Sequence, residues 1–392
     1  MKRLALFCDG TWNDPDSDTN VSRLKGWVAP RDAAGVQQLA RYVVGVGIKP
    51  FERLLGGTVG KGLSANVLEG YAWLVDHYEE GDEIYLFGFS RGAYTARSVA
   101  GMIVKCGLLK RGAGVSLTVD DVYARYRAGK DQRAMYTIEL DRLAGRPVAP
   151  EEQRLLDQSR RVRIRMIGVW DTVGALGVPW THAPLVGRSK FYFHNTNPSV
   201  LFEHAYHAVA VDEQRGPYKP TLWTKFAPDT PDRPDPALAA AVPAAPAGPR
   251  TVTEQRWFAG AHCNVGGGYA GDTLRNLPLA WIQDKAAALG LAFSERSRPG
   301  GRDYTGACVD SYAAFLKGGY RWVSSRFLRP IGASARKVKG GLSTPIEEWV
   351  DASVFEKMRA DATYRPGNVL DFARRRGIDP LQVQGDLRAS QG

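Results

Sequence analysis

Long apolar runs are missing: no stretch of about eighteen consecutive apolar residues occurs in the 392-residue chain, which excludes a hydrophobic membrane-spanning helix. The N-terminal MKRLALFCDGTW has a basic tip, but its apolar run, Leu4 to Cys8, ends at Asp9. That is too short for a secretory signal core, so the chain is expected to be cytoplasmic as synthesised. Cysteine is scarce, and Cys8, Cys106, Cys263 and Cys308 lie too far apart for a C-x-x-C metal pair or a dense disulfide framework. No repeat occurs at solenoid periods. Helix-turn-helix, zinc-finger and RNA-binding signatures are also absent, so nucleic acid is not an expected partner. The segment GGTVGKG, Gly56 to Gly62, fails as a phosphate loop, with Leu55 at the first glycine position and Gly62 at the hydroxyl position.

Hydrophobic residues make up 44% and charged residues 24%, the balance of an ordinary globular protein with a sizeable core. The excess of 52 Lys and Arg over 41 Asp and Glu gives a formal charge of +11 and favours approach to anionic surfaces, phospholipid among them. One elaborated domain is expected over residues 1–335, with insertions at about 108–160 and 175–250, followed by a C-terminal extension, 336–392, packed on the core. The Pro- and Ala-rich stretch 228–250 reads as a surface loop. From Asp310 onward, aromatic residues alternate with Lys317, Arg321, Arg326 and Arg329. The preferred reading there is a helix packed on the core with solvated arginines, and the rival is a surface for peripheral membrane contact.

Several segments share one plan. Leu4 to Cys8 is an apolar strand that runs into the turn-forming DGTWND, and Ala40 to Gly47 is a second strand. Apolar residues at helical spacing from Leu63 to Tyr78 lead into a strand over Ile84 to Phe87, a turn at Ser90 and a second helix. Val162 to Asp171 and Gln255 to His262 are strands ending in an acid and a histidine. Asp9, Ser90, Asp171 and His262 therefore fall at strand C-termini, the edge where open α/β sheets place catalytic groups. The expected fold is α/β, α/β-hydrolase-like, with a mostly parallel central sheet flanked by helices.

GFSRG, Gly88 to Gly92, fits G-x-S-x-G, in which a sharp strand-to-helix turn lifts the serine hydroxyl from the sheet. A serine hydroxyl is a weak nucleophile at neutral pH and requires a base, which in turn requires an orienting acid. Of six histidines, His262 follows a strand and enters the glycine-rich AHCNVGGGY, with His204 or His207 in reserve. Asp171 in GVWDTVG is the acid, and Asp212 is its competitor. For the oxyanion, Arg91 supplies one backbone N–H and Gly10 or Thr11 the second, with Asp9 bracing that loop. The cycle needs neither metal nor organic cofactor. The pairs Glu79-Glu80, Glu151-Glu152 and Glu347-Glu348 read as solvated faces.

With FCDGTWN, GFSRGAYTAR, GVWDTVG and HCNVGGGY in this order, residues from about 3 to about 330 resemble the catalytic region of the type VI secretion phospholipase effectors. The resemblance implies an α/β-hydrolase core with Ser90, Asp171 and His262 as triad, and phospholipase A-type cleavage of glycerophospholipids. It also implies export by a type VI route, with secretion machinery or an immunity protein as partner. Family members commonly carry Asp two places after the histidine, where Asn264 stands here. A carboxylesterase acting on small soluble esters, and a non-catalytic binding protein of hydrolase fold, are the alternatives.

Overall fold

The computed structural model describes residues 1–10, 13–45, 58–129, 132–174, 202–228, 251–315, 324–338 and 341–390. Its centre is an eight-stranded sheet of β1 (Arg3–Cys8), β2 (Gln38–Val43), β3 (Glu83–Phe89), β4 (Ile164–Trp170), β5 (Phe202–Ala210), β6 (Val252–Phe258), β7 (Glu348–Val350) and β8 (Leu387–Arg388). The spatial order is β2-β1-β3-β4-β5-β6-β7-β8. Every neighbouring pair is parallel except β7 with β8. The expected mostly parallel α/β architecture is present.

Strand burial follows from period-two geometry. On β1, Leu4, Leu6 and Cys8 enter one core cluster, while Ala5 and Phe7 enter another on the opposite face. Strand β3 does the same with Ile84 and Leu86 against Tyr85, Phe87 and Phe89. The first face is covered by α2 (Thr58–His77) and α3 (Arg91–Cys106), and the second by α1 (Asn20–Trp27) and, after α4 (His262–Gly266), by α5 (Asn276–Ala288). Because both faces are covered, the central strands read as continuous apolar runs rather than alternating ones.

Order reverses between β1 and β3, since β2 lies to one side of β1 and all later strands to the other. A parallel sheet has its crevice at such a switch point, above the strand C-termini. Asp9 follows β1 there and Ser90 follows β3.

The expected insertion at 108–160 forms short helices, including Val119–Arg127, Met135–Leu143 and Pro150–Gln158, whose Val122, Ile138 and Leu155 join the core under α3. Residues 336–392 differ from expectation: they help to build the central sheet rather than pack on it, through β7 and β8. They also supply α6 (Ala352–Ala360) and α7 (Gly367–Arg376), which share a third apolar cluster with Trp257 and Val209. Strands of two and three residues carry too little periodicity to be seen in sequence. Part of the same region, Arg336–Val338 and Gly341–Pro345, forms a small antiparallel sheet with Thr224–Pro228. Residues 229–250 of the Pro- and Ala-rich loop lie outside the described residues, as do 316–323. No helix among the described residues is long and apolar enough to cross a membrane.

Candidate active site

Strand β3 ends at Phe89, and α3 begins at Arg91, so Ser90 must turn the chain alone. It does so at φ 57° and ψ −121°, a conformation costly for a residue with a Cβ. Two glycines permit the turn. A Cβ on Gly88 would lie 2.6 Å from the Gly92 carbonyl oxygen, and one on Gly92 would lie 2.1 Å from that of Cys8. Helix α3 can therefore start directly against β1 and β3 only if neither position carries a side chain. The Ser90 N–H donates to the Trp170 carbonyl at 3.0 Å, which ties the turn to β4.

Asp171 follows Trp170 at the end of β4, also with a positive φ, 37°. Its N–H donates to the Ala208 carbonyl at 2.7 Å, which ties this turn to β5. His262 opens the short helix α4 four residues past β6, where sequence suggested only a glycine-rich loop. Asn264 anchors that helix, with Oδ1 accepting from the N–H groups of Ala261 at 3.0 Å and Val309 at 3.1 Å. An aspartate there could accept these two bonds, but it could not make the third, from Asn264 Nδ2 to the Ala307 carbonyl at 3.3 Å.

Three strand ends thus meet. The Ser90 hydroxyl donates to His262 Nε2 at 2.7 Å, and His262 Nδ1–H donates to Asp171 Oδ2 at 2.5 Å. An ionised carboxylate only accepts, so the imidazole carries its proton on Nδ1 and turns its Nε2 lone pair toward the hydroxyl. The ring is held between Phe89, 4.6 Å away, and the edge-on Tyr218, 5.0 Å away. A Cβ on Gly266 would fall 1.9 Å from the Phe89 ring, so a glycine there is required for this packing.

Electrostatics favour a neutral histidine beside an ionised aspartate. Burial lowers the His262 pKa below its ordinary value, although Asp171 pulls the other way. Burial alone would raise the Asp171 carboxyl, but the charge of Arg329 and the hydrogen bond from His262 outweigh it and hold the group well below the usual carboxylate range. Arg329 was not foreseen as a site residue. It is fully buried, with Nη1 donating to Asp171 Oδ1 at 2.6 Å and Nη2 to Asp171 Oδ2 at 3.0 Å. The expectation of solvated arginines in this stretch is corrected here: the Asp171 carboxylate compensates the desolvated guanidinium, so Arg329 lies inside the protein.

A second buried pair stands behind the histidine. Glu213 accepts from Arg215 Nε and Nη2, both at 2.8 Å, from the Ser311 hydroxyl at 2.9 Å and from the His262 N–H at 3.3 Å. Only Glu213's place beside Asp212 in VDEQR marked it, and a neighbouring acid is a weak signal.

The reserves have other duties. His207 is fully buried, and its Nε2 accepts from the Thr172 N–H at 3.0 Å. Burial and nearby Arg97 lower its pKa to about 3, so it stays neutral. His204 pairs with the Tyr206 hydroxyl at 3.1 Å. Asp212 accepts from the Gly260 N–H at 2.6 Å and the Tyr364 hydroxyl at 2.8 Å, which makes it a loop brace.

Around the oxyanion, Arg91 opens α3, so its N–H belongs to the turn whose donors point out of the helix N-terminus. Gly10 lies against Ser90, since a Cβ on it would be 3.2 Å from the serine Cβ. Its N–H, however, donates to Asp9 Oδ1 at 2.6 Å, and this corrects the expectation that Gly10 donates to an oxyanion. A carboxylate attached to the preceding residue outcompetes a more distant acceptor. Asp9 also accepts from the Thr19 hydroxyl at 2.5 Å, the Tyr42 hydroxyl at 2.6 Å and Asn13 Nδ2 at 3.3 Å. Thr11 lies outside the described residues.

Two of the paired acids also depart from the solvated reading. Glu152 is buried against Arg133, and Glu348 is fully buried with Trp257 Nε1 donating to it at 2.9 Å. Among the described residues no group of three His, Cys, Asp or Glu side chains is arranged to hold a metal ion.

Residues 2–285 match the family described as the T6SS phospholipase effector Tle1-like catalytic domain. An uncharacterized protein of Saccharomyces cerevisiae is 28% identical over 242 residues, 57% of this chain and 33% of that protein. Among solved structures, an uncharacterized protein from Pseudomonas aeruginosa aligns with 74% of this chain and 46% of its own, at 15% identity and a TM-score of 0.37. A Tle1 effector bound to the VgrG spike of the type VI secretion system aligns with 70% of this chain and 52% of its own, at 15% identity and a TM-score of 0.36. The chain spans about a third of the yeast protein and about half of each solved chain.

Proposed function

Since this chain belongs to the Tle1-like phospholipase effector catalytic-domain family of type VI secretion, we propose that it is a serine hydrolase cleaving acyl esters of glycerophospholipids, a phospholipase of A type. The observation that carries this reading is the unbroken relay from Ser90 through His262 to Asp171, with links of 2.7 and 2.5 Å.

In the proposed cycle, Ser90 Oγ attacks the ester carbonyl carbon while His262 Nε2 takes the hydroxyl proton. Asp171 keeps Nδ1 protonated and stabilises the imidazolium. The tetrahedral oxyanion is stabilised by backbone donors, of which the Arg91 N–H at the start of α3 is one. Collapse expels the lysophospholipid alkoxide, which takes the proton from His262. Water, deprotonated by the same nitrogen, then attacks the acyl-enzyme and releases the fatty acid. Asn264 holds the histidine's helix, and Asp9 holds the loop beside the nucleophile.

Two measurements check the two levels of this reading. A fluorophosphonate probe is expected to label the protein and to leave Ser90→Ala unlabelled; equal labelling of the variant removes Ser90 from its role. Mixed phospholipid vesicles are expected to yield free fatty acid and lysolipid with wild type only. Turnover confined to short soluble esters favours a carboxylesterase, and silence toward a broad ester panel favours a non-catalytic binding protein. Delivery by secretion machinery, a matching immunity protein and peripheral membrane contact are proposed on the family membership and the basic charge.

A further inference from the structure

We propose that Arg329 is a positioning residue of this active site: its guanidinium grips both oxygens of Asp171, fixing the carboxylate plane and limiting how strongly Asp171 holds an imidazolium at His262. The inference rests on the triad reading and goes one residue beyond it.

The geometry is that of a fork closing on a carboxylate. Nη1 reaches Oδ1 at 2.6 Å and Nη2 reaches Oδ2 at 3.0 Å, with both side chains fully buried. The guanidinium is itself immobilised, since Nη1 also donates to the Ala210 carbonyl at 2.9 Å and Nη2 to the Tyr218 carbonyl at 2.5 Å. Asn368 Nδ2 holds the Arg329 carbonyl at 3.2 Å, anchoring the backbone from α7. A buried ion pair alone would speak only for structure. The distinguishing feature is that Asp171 Oδ2 accepts from His262 Nδ1 and Arg329 Nη2 together. When His262 takes the serine proton, two cations share one carboxylate.

Other charges around the imidazole do not substitute for Arg329. Glu213 favours the imidazolium, and Arg215, bidentate on Glu213, opposes it. Burial raises the Tyr218 and Cys263 pKa values and lowers that of His207, so these three stay neutral while His262 titrates. Arg329 also lies beyond residues 2–285, the part matched to the family, and so a group acting on the triad comes from a later segment of the chain.

The rate of fluorophosphonate labelling against pH tests this without knowledge of the lipid. The base works only when neutral, so labelling falls as His262 is protonated. In Arg329→Met the acid-limb midpoint is expected to rise by about one pH unit, and the rate below it to fall up to about tenfold more than the plateau rate. Arg329→Lys keeps the charge but cannot span two oxygens; its midpoint is expected to stay near wild type while the plateau rate drops severalfold. Circular dichroism establishes that each variant is folded. An unmoved midpoint in folded Arg329→Met, or failure of both variants to fold, overturns the proposal and leaves Arg329 a structural ion pair. Labelling that survives Ser90→Ala marks failure of the triad reading instead.

Discussion

Four hydrogen bonds converge on the two oxygens of Asp171, from Arg329 Nη1 and Nη2, His262 Nδ1 and the Ala210 N–H. Asp171→Asn places an amide donor among them and leaves Arg329 buried without a counter-charge. Turnover is expected to fall about 10⁴-fold from the disturbed tautomer, and stability by about 3 to 5 kcal/mol from the orphaned cation. Ester hydrolysis and urea unfolding of the same preparation separate the two effects. The proton balance of His262 gives a second expectation. Its folded pKa lies below the ordinary 6.5, so kcat/KM should be half-maximal below that pH on the acid side. For stability, a lowered histidine pKa contributes fully above 6.5 and loses its contribution as pH falls toward the folded value. The depressed carboxyl of Asp171 is lost in the same direction at lower pH still, so melting temperature should decline as acid is added through both ranges.

The strand-turn-helix around Ser90 depends on contacts that side chains would forbid. In Gly92→Ala the added methyl meets the carbonyl oxygens of Cys8 at 2.1 Å and Asp9 at 2.4 Å, and neither strand end can yield freely. A loss of at least about 3 kcal/mol is expected, together with loss of probe labelling as the serine moves. Thermal denaturation and labelling check this pair of outcomes. At the opposite side of the sheet, β7 buries Glu348, whose carboxyl is pushed up to about 7 by burial, against the hydrogen bond from Trp257. A raised carboxyl pKa gives stability that is present below 4.5 and lost as pH rises through about 7. Glu348→Gln should therefore be more stable than wild type at pH above this range, by about 1 to 2 kcal/mol, with no gain at acid pH. Guanidinium melts at two pH values measure it.

For the molecule as a whole, the sheet begins at residue 3 and its last two strands come from residues 348–350 and 387–388. Deletion of everything from residue 324 onward removes Arg329, β7, β8 and the helices covering Trp257, exposing one edge of the sheet and a buried carboxylate. The truncated protein is expected to lack a cooperative unfolding transition and probe labelling; a normal transition would assign these elements a dispensable role. The net charge of +11 acts over the whole surface. Binding to vesicles containing anionic lipid should weaken steeply as salt is raised from about 0.05 M to about 0.5 M, because screening shortens the reach of surface charge. Sedimentation of protein with vesicles reads this directly.

Sequence by itself determined the order of the central strands' chemistry: apolar runs ending in Asp9, Ser90 and Asp171, and a histidine just beyond a fourth. These follow from local rules, since a buried parallel strand must be apolar and a turn at a serine must have glycines beside it. Helix α2 and the start of α3 were likewise visible in periodicity. The lining of the site was decided only by tertiary structure. Arg329 looks like any of the 52 basic residues until the fold brings it from a later segment to Asp171. Glu213, Tyr218 and Glu348 are similarly silent, and Gly10 lost its expected role to a bond with its own neighbour. Burial, pairing and charge compensation depend on which distant segments meet, and no local spacing in the chain records that.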